Sequence, residues 1–294
     1  MSDVLAKALT PATVGEWVQG WIGGREALVS LVVDWKGTVE LLRGGGKARP
    51  ALDAKAGEAF ALARKRYGES AFCDVYPSVD NALPRARGFA TSTMDIAGVL
   101  AVCAAYTGRR ESAEELFSLC ASIEPSDGIM FEALALVDHL NGRLLERLPP
   151  PPPMTLLALV PARTLDTAEY RKEAGRAEVI KSLAFEHERA YALLREGLLG
   201  GDAAAVAEAA TISAAAQQQV LPRAEWELLL GGRDVSGALG IAVAHSGTAS
   251  ALIFAEGDEA RIAFAELWFR EKSKCRKYET VKVKVCGGGI KLSM

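Results

Sequence analysis

The 294-residue sequence contains no apolar run approaching the roughly 18 residues that a membrane span requires. Its opening residues, with Asp3 and no basic-then-apolar order, do not read as a secretion signal, so the expected location is the cytoplasm. Cysteine is scarce. Cys73, Cys103, Cys120, Cys275 and Cys286 make an odd set without paired close spacing, which indicates neither a disulfide framework nor a zinc site. The formal net charge is only −3, so nothing draws the whole molecule to nucleic acid or to an anionic membrane, and small-molecule chemistry fits better. The three histidines, His139, His187 and His245, show no triad or metal-binding spacing. His187 falls in a charged helical stretch and is expected to be exposed.

The apolar fraction of 50% supplies a packed core for two modest domains or one large one. Pro149 to Pro153 is stiff and cannot donate backbone hydrogen bonds. It reads as a linker between a domain at 1–148 and another at 154–294. In the first half, Ala27 to Asp34 and Gly37 to Leu42 read as strands around a Trp35-Lys36 turn. Ala51 to Arg66 reads as a helix, Ala71 to Ala82 as an extended edge with Pro77, and Met130 to Leu140 as helical. Asp95 to Tyr106 is apolar nearly all round, hence a core helix, and Arg110 to Ile123 is a helix with an acidic face.

Past the prolines, Thr155 to Val160 reads as a strand, followed by long helices over Ala168 to Leu198 and Ala203 to Gln219. Strands around Leu239 to Val243 and Ala251 to Ile253 then precede a helix over Asp258 to Lys272 and an alternating strand at Val281 to Val285. The mixture in both halves gives an α+β class.

The most informative stretch is Pro84-Arg85-Ala86-Arg87-Gly88-Phe89-Ala90-Thr91-Ser92-Thr93-Met94-Asp95. A glycine and three hydroxyl residues stand before the apolar helix, so free N–H groups and the positive end of a helix dipole converge where an anion belongs. Thr91, Ser92 or Thr93 is expected to cap that helix. The lysine of the common P-loop is missing. Near the start, Pro11 to Ile22 gathers Glu16, Gln19, Trp17 and Trp21, which fits a ligand wall or an amphipathic edge strand with one solvated Glu.

The Pro84 to Thr93 segment resembles the phosphate loop of the GHMP kinases, the family of galactokinase, homoserine kinase and mevalonate kinase, with Phe89 and Thr91 as mild departures. The chain looks most like the branch of that family that phosphorylates L-threonine in cobalamin assembly. The likeness recurs in order at Pro11 to Ile22, Val33-Asp34-Trp35, Ile123 to Asp127, Asp138-His139, Glu208 to Thr211 and Val243 to Gly247.

The resemblance implies a two-domain GHMP-kinase-like fold, an N-terminal ATP-binding α/β domain followed by a ferredoxin-like α+β domain. It also implies ATP and Mg²⁺ as cofactors and an amino acid or amino alcohol as acceptor, whether threonine, serine, homoserine or ethanolamine. A nucleotide-sensing relative without turnover is the alternative. Pro84, Gly88, Phe89, Ala90, Thr91, Ser92 and Thr93 would hold the nucleotide, Ser92 and Glu124 the metal, and Asp127 would take the proton or orient the hydroxyl. Glu16, Gln19, His139, His245, Ser246 and Gly247 would face the substrate. His245 also fits a catalytic base or a structural, hydrogen-bonded histidine. Several family members carry a basic residue in the first motif near the transferred phosphate, whereas this chain has Thr13, which would leave charge neutralisation to Mg²⁺ with Arg85 or Arg87.

Overall fold

Two long strands organise the molecule, described by a computed structural model over residues 3–44, 51–165, 167–272 and 278–294. β1 (Val4–Ile22) and β2 (Arg25–Arg43) form an antiparallel hairpin closed by Gly23 and Gly24. Both glycines have positive φ, as a two-residue reversal between right-twisted strands requires. The expected turn at Trp35-Lys36 does not reverse the chain. Pairing passes from Pro11 with Lys36 to Ala12 with Val33, so Asp34 and Trp35 bulge out of a continuous β2. Nor is β1 a sheet edge, for every residue from Pro11 to Gly20 is buried.

The sheet continues through β3 (Val75–Asp80), β4 (Leu134–Asp138), β5 (Arg143–Leu148), β6 (Met154–Pro161), β7 (Gly240–Val243), β8 (Ser250–Ala255), β9 (Tyr278–Lys284) and β10 (Lys291–Ser293). Its order is β5-β4-β2-β1-β7-β8-β6-β9, with β3 added to β2 and β10 added to β1. Every pairing is antiparallel. β4 occupies the segment expected to be helical. All five of its residues are buried, and a strand covered on both faces lacks the alternation that marks strands in a sequence. The five prolines join β5 to β6, and the largest buried cluster draws on residues from both sides of them, Leu41 and Leu100 with Leu156 and Ala210.

Before the prolines, α1 (Ala54–Tyr67) starts at Asp53, whose carboxylate accepts the Ala56 N–H at 2.8 Å. α2 (Thr91–Tyr106) is buried nearly all round, as its composition requires, and packs on β1, β2 and α1. α3 (Ala113–Ala121) begins in a capping box of Ser112 and Glu115. After them, the stretch expected as one long helix is three: α4 (Thr167–Arg171), α5 (Arg176–Ser182) and α6 (Ala184–Gly200). Gly175, at φ 81°, interrupts the first pair, and Leu183 leaves helical geometry before α6. His187, expected to be exposed, is buried in α6. Its Nδ1 accepts the Trp21 N–H at 3.0 Å, and its ring lies where a side chain on Gly20 would be.

α7 (Ala203–Val220) packs on β1 and β7, while α8 (Trp226–Ser236) and α9 (Glu259–Lys272) pack on each other. No described helix is long and apolar enough to cross a membrane. Among the described residues Cys73, Cys103, Cys120 and Cys286 are free thiols; Cys275 lies outside them.

Candidate active site

The start of α2 is built to receive an anion, though not by the expected cap. Its N-cap is Ala90, held at φ 58° in the left-handed region, and no side chain caps the helix. A methyl group cannot accept the first-turn N–H groups, so their hydrogen-bonding capacity stays directed outward at the positive end of the dipole. Gly88, at φ 93°, leads into this turn. A side chain there would overlap the Ala244 methyl. From the other side Gly247 presses on the Gly88 backbone, and the Ala249 N–H donates to the Arg87 carbonyl at 2.8 Å. Phe89 is buried edge-on against Trp35 with ring centroids 5.4 Å apart, and its carbonyl accepts the Thr13 N–H.

This loop forms one wall of a cleft of about 510 Å³. Gly88 to Thr93, Glu16, Glu124, Asp127, His245 and Ser246 all line it, together with Lys55, Arg85 and Arg171. Glu16 reaches it because Gly15, at φ 78°, bulges β1 against the Val243 backbone, where a Cβ would stand 2.7 Å from the carbonyl carbon. Asp127 is tied to α2, for its carboxylate accepts the Thr93 hydroxyl at 3.3 Å and its N–H donates to the same oxygen at 3.2 Å. The neighbouring Gly128 N–H donates to the Ser30 hydroxyl.

Burial raises the Asp127 carboxyl above the ordinary range, with His245, Arg171 and the Thr93 hydroxyl opposing. Glu16 is pushed well up, first by burial and then by the Asp127 charge beside it. Burial thus favours the neutral form of both carboxyls, and a charge on either disfavours a charge on the other. The cations differ in what they already hold. Lys55 pairs with Glu124, and Arg85 bridges Asp53 at 2.8 Å and buried Asp95 at 2.7 Å. Arg171 has no ion pair among the described residues.

Behind His245 lies a second polar group. Arg176 grips both oxygens of Glu26, and His245 Nε2 sits 3.2 Å from Glu26 Oε1. His139 packs its ring against that of His245, with centroids 4.8 Å apart; its Nε2 lies 3.8 Å from Glu26 Oε1, and neither of its nitrogens makes a hydrogen bond. Burial opposes ionisation of Glu26, but hydrogen bonds from His245 and Arg176 prevail and hold its carboxyl far below the usual range. Burial drives His139 and His245 toward the neutral form. Glu26, His139 and His245 bring potential ligand atoms within 4.8 Å of one another, a grouping their sequence spacing does not show. The Arg176 guanidinium stands beside the carboxylate where a cation would bind, so this cluster works as a hydrogen-bonded ion pair.

Most of the expected site residues therefore converge, and some act at one remove. Gln19 does not line the cleft. Its side-chain amide donates to the Val243 carbonyl at 3.1 Å and its backbone N–H to Ser213, so it fastens β1 to β7 and α7. His139 lies behind His245, and Gly247 supports the loop from outside. Pro84 leads into the loop without lining the cleft. Lys55, Glu26, Arg171 and Arg176 were not legible. Each sits in a charged, ordinary-looking stretch, and the break at Gly175, which separates α4 ending at Arg171 from α5 beginning at Arg176, is not marked by periodicity.

Comparison with known proteins agrees with this architecture. The family described as GHMP kinases N terminal domain matches residues 54–132. A homoserine kinase from Cytophaga hutchinsonii superposes with a TM-score of 0.70 at 15% identity, covering 98% of this chain and 97% of that one. A mevalonate pyrophosphate decarboxylase from Streptococcus pyogenes also gives 0.70 at 12% identity, covering 97% and 98%. A similar fold solved with AMPPCP and magnesium gives 0.66 at 15% identity, covering 99% of each chain. The chain belongs to the GHMP kinases, ATP-dependent phosphotransferases that act on a hydroxyl group of a small molecule. Within that family it is 34% identical to the L-threonine kinase of Salmonella typhimurium over 293 residues, 99% of this chain and 96% of that one. It is also 34% identical to the L-threonine kinase of Citrobacter freundii over 249 residues, 85% of this chain and 86% of that one.

Proposed function

We propose that this protein transfers the γ-phosphoryl group of ATP to the hydroxyl of L-threonine, giving O-phospho-L-threonine for the aminopropanol arm of a cobamide. The observation that carries this reading is the likeness to L-threonine kinases along nearly the whole chain, coupled to a cleft that joins an uncapped helix start to a buried carboxylate. The outward N–H groups of α2, framed by Gly88 and Gly247, fit the phosphates. Ser92 and Glu124 line the same cleft and offer the hard oxygens that Mg²⁺ prefers. When bound there, the ion neutralises phosphate charge. Lys55, now the counter-ion of Glu124, adds an ammonium group at the same wall.

Asp127, oriented by Thr93, receives the acceptor's proton. The wall made by Glu16, His245 and Ser246 positions the acceptor. In this reading residues 1–148 form the ATP-binding domain and residues 154–294 the second domain, with the proline run between them. The test is an ATP-consumption screen with Mg²⁺ across threonine, serine, homoserine and ethanolamine. Threonine should give the highest kcat/KM; a clear preference for another acceptor rejects the substrate, and ATP binding without turnover on any acceptor supports a sensor instead.

A further inference from the structure

The first motif, Pro11 to Ile22, contains no lysine or arginine, so β1 places no cation beside the group being transferred. Three cations line the cleft. Two already pair with carboxylates. Lys55 is paired with Glu124, and Arg85 is held by Asp53 and Asp95. Arg171, at the end of α4, is the exception. Its Nη2 reaches the Pro125 carbonyl at 3.5 Å, its Nε is shielded from solvent without a partner, and it has no ion pair among the described residues.

Pro125 stands between Glu124 and Asp127, so the guanidinium lies over the short segment that separates the proposed metal ligand from the proposed base. The donor phosphate and the acceptor hydroxyl must meet between those two groups. We infer that Arg171, supplied from the far side of the proline run, binds the phosphoryl group in flight and replaces the cation missing from the first motif. The inference rests on the kinase reading above.

In the transfer, the acceptor oxygen bonds to the γ-phosphorus while the bond from that phosphorus to the β–γ bridging oxygen breaks. The bonding pair leaves with ADP, and the hydroxyl proton passes to Asp127. Charge spreads over the three equatorial oxygens of the moving group, and a planar fork of N–H donors matches two of them at once. A cation used at this stage stabilises the transition state more than the bound substrate.

A different role for the same guanidinium is to hold the acceptor's carboxylate. The two roles separate when threonine is compared with 1-amino-2-propanol, which keeps the hydroxyl and amine and lacks the carboxylate. Arg171→Ala should lower turnover about 10²-fold or more with both acceptors, with little change in threonine KM, and Arg171→Lys should recover only part of it. Free guanidinium added to Arg171→Ala should restore part of the rate. Independently of turnover, the wild type should bind ADP with tetrafluoroaluminate, a mimic of the group in flight, more tightly than ADP alone.

Arg171→Ala should lose that gain and retain its affinity for ADP, which also shows that the variant is folded. Loss confined to threonine, with 1-amino-2-propanol unaffected, overturns the inference in favour of a carboxylate anchor, and so does an undiminished response to tetrafluoroaluminate. If the wild type phosphorylates none of the acceptors, the substrate reading fails, while the tetrafluoroaluminate comparison still decides the place of Arg171.

Discussion

Gly247 stands so close to Gly88 that a Cβ on it would overlap the Gly88 backbone, so the phosphate loop takes its shape from a turn about 160 residues further along the chain. The contact is backbone against backbone. No rotamer change can relieve an added methyl group there.

Gly247→Ala should therefore displace the loop as well as strain the fold. An overpacked contact of this kind costs about 1–3 kcal/mol. The expected result is a lower Tm together with a weakened affinity for ATP, read by calorimetry. Gly200→Ala is the control, because that glycine at the end of α6 has open space around it, needs no left-handed backbone and lies outside the cleft.

Ser92→Ala removes a proposed metal ligand without removing a helix cap, since α2 has no side-chain cap to lose. Stability should be nearly unchanged. Turnover should fall, and the Mg²⁺ concentration needed for half-maximal rate should rise. An unaltered Mg²⁺ requirement would take Ser92 out of the metal site.

Asp127→Asn should lower kcat by about 10²-fold with little change in ATP affinity, the pattern of lost general-base help. Burial raises the Asp127 carboxyl, and the base acts only when ionised. Wild-type kcat should therefore fall as pH drops through a value above the usual aspartate range, and the Asn variant should lack that limb. A rise in threonine KM with kcat preserved would mark Asp127 as a substrate contact.

Glu26→Gln leaves Arg176 without its counter-charge among buried histidines, and breaking a buried pair costs about 3 kcal/mol. The Glu26 carboxyl is depressed in the folded protein. Its contribution is thus fully present above the unfolded carboxylate value and disappears as pH falls through the lower folded one. Chemical denaturation should show a wide stability gap between wild type and variant at neutral pH, narrowing in strong acid. A gap independent of pH would mean that packing, and not charge, holds the cluster.

Local chemistry made part of this molecule readable. The loop before α2 announces itself because glycine, hydroxyl residues and an apolar helix are neighbours in sequence, and α7, β6, β8 and α9 fall near the positions their periodicity indicates. The cap was misread because hydroxyl residues suit the N-cap in general, whereas here Ala90 takes that place in a left-handed turn. β4 was misread because burial on both faces erases alternation, and α4 to α6 because a single glycine carries little weight in a long helical pattern. Glu26, Arg171 and Arg176 could not be singled out at all. Their meaning comes from partners such as His245 and Pro125 that only the folded chain brings near.

The place of β1 also bears on how the protein is made. One edge of this buried strand receives β7, at Glu16 opposite Val243, and β10, at Lys7 to Leu9 opposite Ser293 to Lys291. Both partners belong to the last quarter of the sequence. During synthesis β1 can close its hairpin with β2 early, but its other edge stays open until more than 200 further residues have followed. An unpaired apolar edge that waits so long favours slow folding and association between nascent chains. The strand that carries Glu16 into the cleft is thus also where a newly made copy most needs protection.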